Sequence, residues 1–212
     1  MKKTSILLIV VMAAMATSSG CGRRAAKKTG FLSDYTHLER VSDSSLRYLD
    51  RQTLGGYSSF IVDRVEVHFH DGAKAIEKKS EGKLTEQDMA DIMNYLHSAM
   101  VKAVEDAGCR VAYRPGPGVA RIRTAITDME ETNVVLAAVP QARVLTGAGT
   151  GGASMEFEVV DSQSGRQIAA GIETRSGSRI PFTGLSQWGG AKAAIDNWAN
   201  RVKERLEETR GQ

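Results

Sequence analysis

The sequence predicts a mixed α/β domain of the α+β type, in which one largely antiparallel sheet of about five strands is packed by two main helices. Two segments, at about 85–107 and 187–209, repeat apolar residues every three or four positions, as amphipathic helices do. Shorter segments alternate apolar and polar residues, which is typical of half-buried strands. Residues 31–212 are predicted to form this one domain, since a chain of this length can bury a single core.

The first helix is predicted to begin after Thr85, an N-cap residue with Asp88 three positions later, and to end before Gly108, which suits the left-handed C′ position. We interpret its methionine-rich apolar stripe as core, with an adaptable partner groove as the alternative. The second helix contains Trp188 and Trp198. Packing onto the sheet is the preferred interpretation of this pair, and a ligand platform or a membrane-facing edge is the alternative.

Five segments are predicted to be strands. Residues 59–70 alternate, with Val65, Val67 and Phe69 on one face. Residues 109–114 are followed by a turn at 115–118, and the chain returns as a strand through Thr127. A hairpin with a turn at 161–165 is predicted to place six residues on one inward face. These are Met155, Phe157, Val159, Ile168, Ala170 and Ile172. Residues 31–58 have no sustained period and are expected to form a wrapped extension with apolar anchors.

The first 30 residues are typical of an exported, lipid-anchored protein. Lys2 and Lys3 precede about eleven apolar residues, too few for a helix that spans a bilayer but suited to a signal peptide. Small residues then lead to Cys21 and resemble a lipobox, which implies a signal peptide at 1–20 and acylation, palmitate included, at Cys21. An ordinary signal with Cys21 as a thiol is the alternative. Residues 21–30 are predicted to be the lipidated cysteine and a flexible tether, whose basic residues could also lie on anionic head groups.

The charge balance and the cysteine content argue against a nucleic-acid partner and against an intrachain disulfide. Of 28 basic residues, two lie in the signal peptide, so 26 remain against 25 acidic residues. This near-neutral balance gives no case for a nucleic-acid partner. With Cys21 acylated, Cys109 would have no partner for an intrachain disulfide, and we expect it to be buried in the core.

Three motifs suggest chemistry but lack the context that this chemistry needs. Gly147, Gly149 and Gly152 match a dinucleotide fingerprint, yet they precede a strand pattern instead of a helix. His68 and His70 share one strand face but lack further predicted metal ligands. Glu156 and Glu158 are expected together on an exposed face, which does not form a glycosidase cleft. We therefore predict no catalytic residue, no metal, no small-molecule cofactor and no enzyme.

Several segments, in order and spacing, resemble the domain-of-unknown-function 3313 family of bacterial outer-membrane lipoproteins across about residues 30–209. They are Gly30-Phe31-Leu32-Ser33-Asp34-Tyr35, the turn at 115–118 with the strand that ends in Thr127-Asp128, the turn at 161–165, and Trp188-Gly189-Gly190-Ala191-Lys192-Ala193-Ala194. The resemblance implies a lipoprotein of the outer membrane, with its domain in the periplasm or at the cell surface. It implies no settled activity.

Two functions from different classes are therefore expected. The first is a membrane-anchored, non-catalytic module that binds an envelope protein, with residues 133–145 and the glycine-rich loop as its contact surface. The second is a domain that binds peptidoglycan or lipopolysaccharide glycan, with Trp188 or Tyr113 as stacking surfaces. A hydrolase with an unrecognised site is a third, weaker alternative.

Overall fold

The computed structural model describes residues 25–133, 150–176 and 186–210, apart from the side chain of Arg210. In these ranges the chain forms eight strands and four helices. The strands are β1 (Glu39–Ser42), β2 (Ser45–Leu49), β3 (Ser59–Val62), β4 (Glu66–Val67), β5 (Arg110–Val111), β6 (Val119–Glu130), β7 (Gly152–Asp161) and β8 (Gln167–Ser176). The helices are α1 (Arg51–Leu54), α2 (Lys74–Ser80), α3 (Glu86–Asp106) and α4 (Gly189–Arg210).

All eight strands belong to one mixed sheet with the order β1-β2-β8-β7-β6-β3-β5, and β4 continues β3 along the edge of β6. The pairs from β1 to β6 along this order are antiparallel. Strands β3 and β4 run parallel to β6, and β3 runs parallel to β5. The predicted mixed, largely antiparallel α+β class is therefore confirmed.

The two predicted main helices are present and form a layer on one face of the sheet. Thr85 and Asp88 form a complete capping box at the start of α3, and Gly108, with φ of 72°, follows its end. The apolar stripes of both helices pack on β6 and β7, with Ile92, Leu96, Ile195 and Trp198 at most 1% exposed. Cys109 is buried in the core between these helices and the sheet, as predicted. No helix within the described ranges is long and apolar enough to cross a bilayer.

Within the described residues, the sheet has three more strands than predicted. Residues 31–58 contain β1, β2 and the one-turn helix α1 instead of only a wrapped extension. The predicted strand at 59–70 is divided into β3 and β4. The strands β1 and β2 were not visible as periodicity, because β1 is an exposed edge strand and β2 is partly buried on both faces.

The six apolar residues of the hairpin do not all lie on the predicted face of the sheet. Met155, Phe157 and Val159 face the helices, but Ala170 and Ile172 pair with Glu158 and Glu156 and face the opposite side. A bulge near Val159 lets Ile168 alone of its predicted set join the helix side. The prediction that all six residues share one face was wrong, because both faces of β8 are buried.

Candidate functional site

The face of the sheet opposite the helices is covered by residues 26–38, which we call the strap. The strap begins where the amide of Ala26 donates to the carbonyl of Asp43, at 2.9 Å. Phe31 and Leu32 are each 5% exposed and pack against Ala125, Ala170 and Ile172 of the sheet. Part of the predicted tether, residues 26–30, thus lies against the folded domain.

Glu156 on β7 holds the first half of the strap. Its carboxylate, in a residue with 0% exposure, accepts from the Thr29 amide at 2.7 Å and from the Tyr35 hydroxyl at 2.6 Å. The same hydroxyl accepts from the amides of Gly30 and Leu32. Burial and the hydrogen bond to Glu156 raise the pKa of Tyr35. The Tyr35 hydroxyl therefore links the buried carboxylate of Glu156 to backbone amides of the strap.

Glu158, two residues along the same strand face, holds the second half. It accepts from the Ser33 amide at 2.9 Å, from the Ser33 hydroxyl at 2.7 Å and from the Gln167 side chain at 2.8 Å. Arg123 on β6 supplies the countercharge and donates to the other carboxylate oxygen. The Arg123 guanidinium also lies 4.9 Å from the ring centroid of Phe31, so it contacts both the carboxylate and the strap.

This arrangement makes the strap and the carboxylates depend on each other. A carboxylate that is removed from water is costly unless hydrogen bonds and a countercharge replace its hydration. The strap supplies backbone amides and hydroxyls to both carboxylates, and it also excludes water from them. Glu156 and Glu158 were predicted on an exposed face. That prediction was wrong because the strap, which has no readable period, covers this face.

A second junction joins the N-terminus of α4 to the ends of β6 and β7. The Gly190 amide donates to the Thr132 hydroxyl at 2.9 Å, and the Thr132 amide donates to the carbonyl of Gln187 at 2.7 Å. A Cβ atom at Gly190 would overlap the carbonyl oxygen of Thr150. Close backbone approach therefore explains this glycine of the Trp188–Ala194 motif. The predicted contact surface at 133–145 lies outside the described residues apart from Asn133.

The sites predicted from sequence are distributed as follows. Cys21, the predicted lipid attachment residue, lies outside the described residues. Trp188 is 7% exposed and packs in the helix-side core, whereas Tyr113 is 90% exposed after β5. The structure therefore does not bring Trp188 and Tyr113 together, and of the two only Tyr113 presents an exposed ring.

Two of the three motifs that lacked supporting context, the histidine pair and the glycine motif, can be placed in part. His68 lies 2.9 Å from Glu66, and its ring contacts Phe31 of the strap, while His70 lies 3.8 Å from Asp128. Among the described residues, no group of three or more His, Cys, Asp or Glu side chains is arranged to hold a metal ion. Gly152 begins β7, in agreement with a strand after the glycine motif, and Gly147 and Gly149 lie outside the described residues.

Comparison with known proteins identifies the family. The model of the family described as "Protein of unknown function (DUF3313)" matches residues 27–202, a range that includes all of the strap except Ala26, the sheet and most of α4. The chain belongs to this family. The match confirms the resemblance found from sequence, and it begins within one residue of the start of the strap. No curated protein sequence matches the chain significantly.

Two solved structures share a distant likeness of shape. One is the PelC dodecamer from Paraburkholderia phytofirmans, with 12% sequence identity and a TM-score of 0.47. The other is a single-substitution variant of the same dodecamer, with 13% identity and a TM-score of 0.43. Each alignment covers 77% of this chain and 96% of the PelC chain.

Proposed function

We propose that this DUF3313 protein is a lipoprotein of the bacterial outer membrane, anchored through Cys21, that acts by binding an envelope protein and not by catalysis. The observation that carries the proposal is the strap, through which the chain next to the predicted anchor is built into the domain. A domain joined to its anchor only by a flexible tether would not need buried carboxylates to hold the segment that follows the anchor.

The strap limits how far the domain stands from the membrane. Ala26 follows Cys21 by five positions in the sequence, and an extended chain covers no more than about 3.6 Å per residue, or about 18 Å in all. The end of the domain beside Ala26, which includes Asp43, would therefore lie close to the lipid surface. Such a limited distance favours a module that presents one surface to an assembly in the same membrane.

The roles of three buried acidic residues also favour binding over catalysis. Glu156 and Glu158 hold the strap, and Glu173 on β8 accepts from Ser45, Arg47 and Arg201. Each carboxylate thus has structural partners that fix its position. A general acid or base needs instead a free path to a substrate proton.

Two measurements on intact cells test this proposal. Metabolic labelling with an alkyne analogue of palmitate should label the full-length protein, and Cys21→Ser should abolish the label. Chemical crosslinking followed by purification and mass spectrometry should then identify a dominant envelope protein with the wild type. The same partner should be lost with Cys21→Ser. Labelling that persists in Cys21→Ser would refute the anchor, and equal crosslinking in both proteins would refute the need for it.

The exposed ring of Tyr113 supports a second candidate function, the binding of envelope glycan by aromatic stacking. The full-length protein should then co-sediment with purified peptidoglycan sacculi, and Tyr113→Ala should reduce the bound fraction without changing thermal stability. Tyr113→Phe, which keeps the ring, is the matched control. Sedimentation that does not distinguish Ala from Phe at this position would remove the candidate.

A further inference from the structure

A cavity of about 110 Å³ lies between the sheet and the C-terminal half of α4. Its walls are apolar and include Leu49, Phe157, Ala169, Trp198, Val202 and Leu206. This volume approaches that of apolar cavities, on the order of 150 Å³, that hold a benzene molecule. The walls therefore suit a ring or the end of an alkyl chain, and they offer little to a sugar or a nucleotide.

Charged side chains also line the cavity. Arg47 from β2 and Arg201 from α4 line it and meet at Glu173, each with a nitrogen 2.7 Å from one of the two carboxylate oxygens. Arg205 also lines the cavity, and its guanidinium donates to Glu208 at 2.6 Å. The side chains of Arg47 and Arg201 remain 29% and 26% exposed, so solvent reaches the guanidinium groups although Glu173 is only 4% exposed.

A third guanidinium, that of Arg175, lies near Glu173. Arg175 lies two residues after Glu173 on the same face of β8, and its Nε atom is buried with no hydrogen-bond partner among the described residues. Burial lowers the pKa of Arg175, and the positive charge of Arg201 lowers it further. One carboxylate thus stands among three arginines, which leaves a local surplus of positive charge beside an apolar cavity.

We propose that this cavity binds an amphipathic anion, whose apolar tail lies against Trp198 and Val202 and whose carboxylate or phosphate group lies at Arg201. Guanidinium groups bind both of these anions through charge-assisted hydrogen bonds, and the apolar walls exclude water from the tail. A free fatty acid and an anionic phospholipid share this chemistry. The site does not depend on the protein-binding role proposed above, because it uses the opposite face of the sheet from the strap.

The test uses the full-length protein in isolated membranes and a decanoic acid analogue that carries a diazirine on its tail and an alkyne. After illumination, label should appear on peptides from β2, β8 and the second half of α4. The matching decanol analogue, which lacks the anionic group, should label these peptides roughly tenfold less. Equal labelling by the acid and the alcohol, or labelling confined to other segments, would overturn the proposal.

Variants separate the two parts of the site. Val202→Phe, which fills the cavity, should remove the label, whereas Asn200→Phe on the exposed face of the same helix should retain it. Arg201→Gln should reduce labelling by the acid roughly tenfold, and Arg201→Lys should restore part of it. Melting temperatures of all four variants show whether each is folded. If folded Arg201→Gln labels as strongly as the wild type, the proposed anion site is wrong.

A second probe distinguishes the source of the ligand. A phosphatidylglycerol analogue with the same diazirine on its acyl chain is incorporated into the membranes in place of the free acid. Label on the same peptides would assign the ligand to the membrane lipids. Label from the free acid alone would assign it to free fatty acids.

Discussion

The two faces of the central sheet are covered by different means. The inner face is covered by α3 and α4, whose apolar stripes bury Ile92, Leu96 and Ile195 almost completely. The outer face is covered by the strap, which has no regular structure of its own and is held by hydrogen bonds to Glu156 and Glu158. The first cover depends on buried area, and the second depends on a few directional contacts.

Because of this difference, we expect the helices to determine the stability of the domain and the buried carboxylates to determine whether the strap stays docked. The helices bury enough apolar surface to stabilise the domain, because burial contributes about 25 cal/mol per Å² over a large area. The strap buries two large apolar residues and depends on charged groups that must remain paired. Damage to the inner face should therefore unfold the domain, whereas damage to the outer face should release the strap and leave the sheet folded.

The largest effect is expected for Trp188→Ala on the inner face. Removal of a buried tryptophan leaves a cavity in the helix-side core and should lower the free energy of unfolding by about 3–5 kcal/mol. Urea denaturation followed by circular dichroism measures this loss. Tyr113→Ala, at an exposed position, is the control and should stay within about 0.5 kcal/mol of the wild type. A folded Trp188→Ala protein of unchanged stability would show that this ring is not core.

On the outer face, Glu158→Ala should cost about 3 kcal/mol in the docking of the strap, because Arg123 and the Ser33 amide lose their buried partner. Hydrogen exchange should then speed up at the amides of Thr29 and Ser33, while the amides of β7 and β8 stay protected.

Glu158→Gln is the matched variant, since it keeps an oxygen that can accept from Ser33 and should show a smaller increase. Loss of protection throughout the sheet in Glu158→Ala would contradict the separation between the two faces.

Gly190→Ala strains the inner face at one backbone contact and removes no apolar area. The added Cβ atom would overlap the Thr150 carbonyl, so we expect a loss of about 2 kcal/mol in unfolding free energy. Gly116→Ala is the control, because its Cβ atom would lie at an ordinary 3.8 Å from Val119. Chemical denaturation of both variants measures the difference, and equal stability would contradict the close approach.

The smallest effect is expected at the hydrogen bond between α3 and α4. The Tyr95 hydroxyl donates to Asp196 at 2.7 Å, and this bond, together with burial, raises the pKa of Tyr95 from 10.0 to about 12. Because the folded state holds this proton more tightly, its contribution is fully present below pH 10 and is lost as the pH rises from 10 towards 12.

Tyr95→Phe removes this group from the titration. Unfolding free energies measured in urea at several pH values should therefore fall less steeply between pH 10 and 12 in Tyr95→Phe than in the wild type. Identical slopes would show that the hydrogen bond to Asp196 does not form in solution.

Periodicity in the sequence was enough to find the helix layer. The capping residues Thr85 and Asp88 and the apolar stripes of α3 and α4 are local signals, and each matched the structure. The same reasoning failed for the strap, because Phe31, Leu32 and Tyr35 contact residues more than 90 positions away in sequence. The contacts of these residues depend on which strand face they cover, and no local sequence pattern indicates that face.

The sequence by itself determined the fold class, the family and the prediction of a lipid anchor at Cys21. Apolar periodicity, the order of motifs and the small residues before Cys21 can all be read along the chain without knowing which segments are in contact. Only the tertiary structure decided that Glu156 and Glu158 are buried, that Trp188 is core and that Arg47 and Arg201 meet at Glu173. The physical reason is that alternation along a strand assigns residues to two faces, but it does not say what covers each face. Here both faces are covered, one by apolar helices and one by the segment next to the predicted anchor.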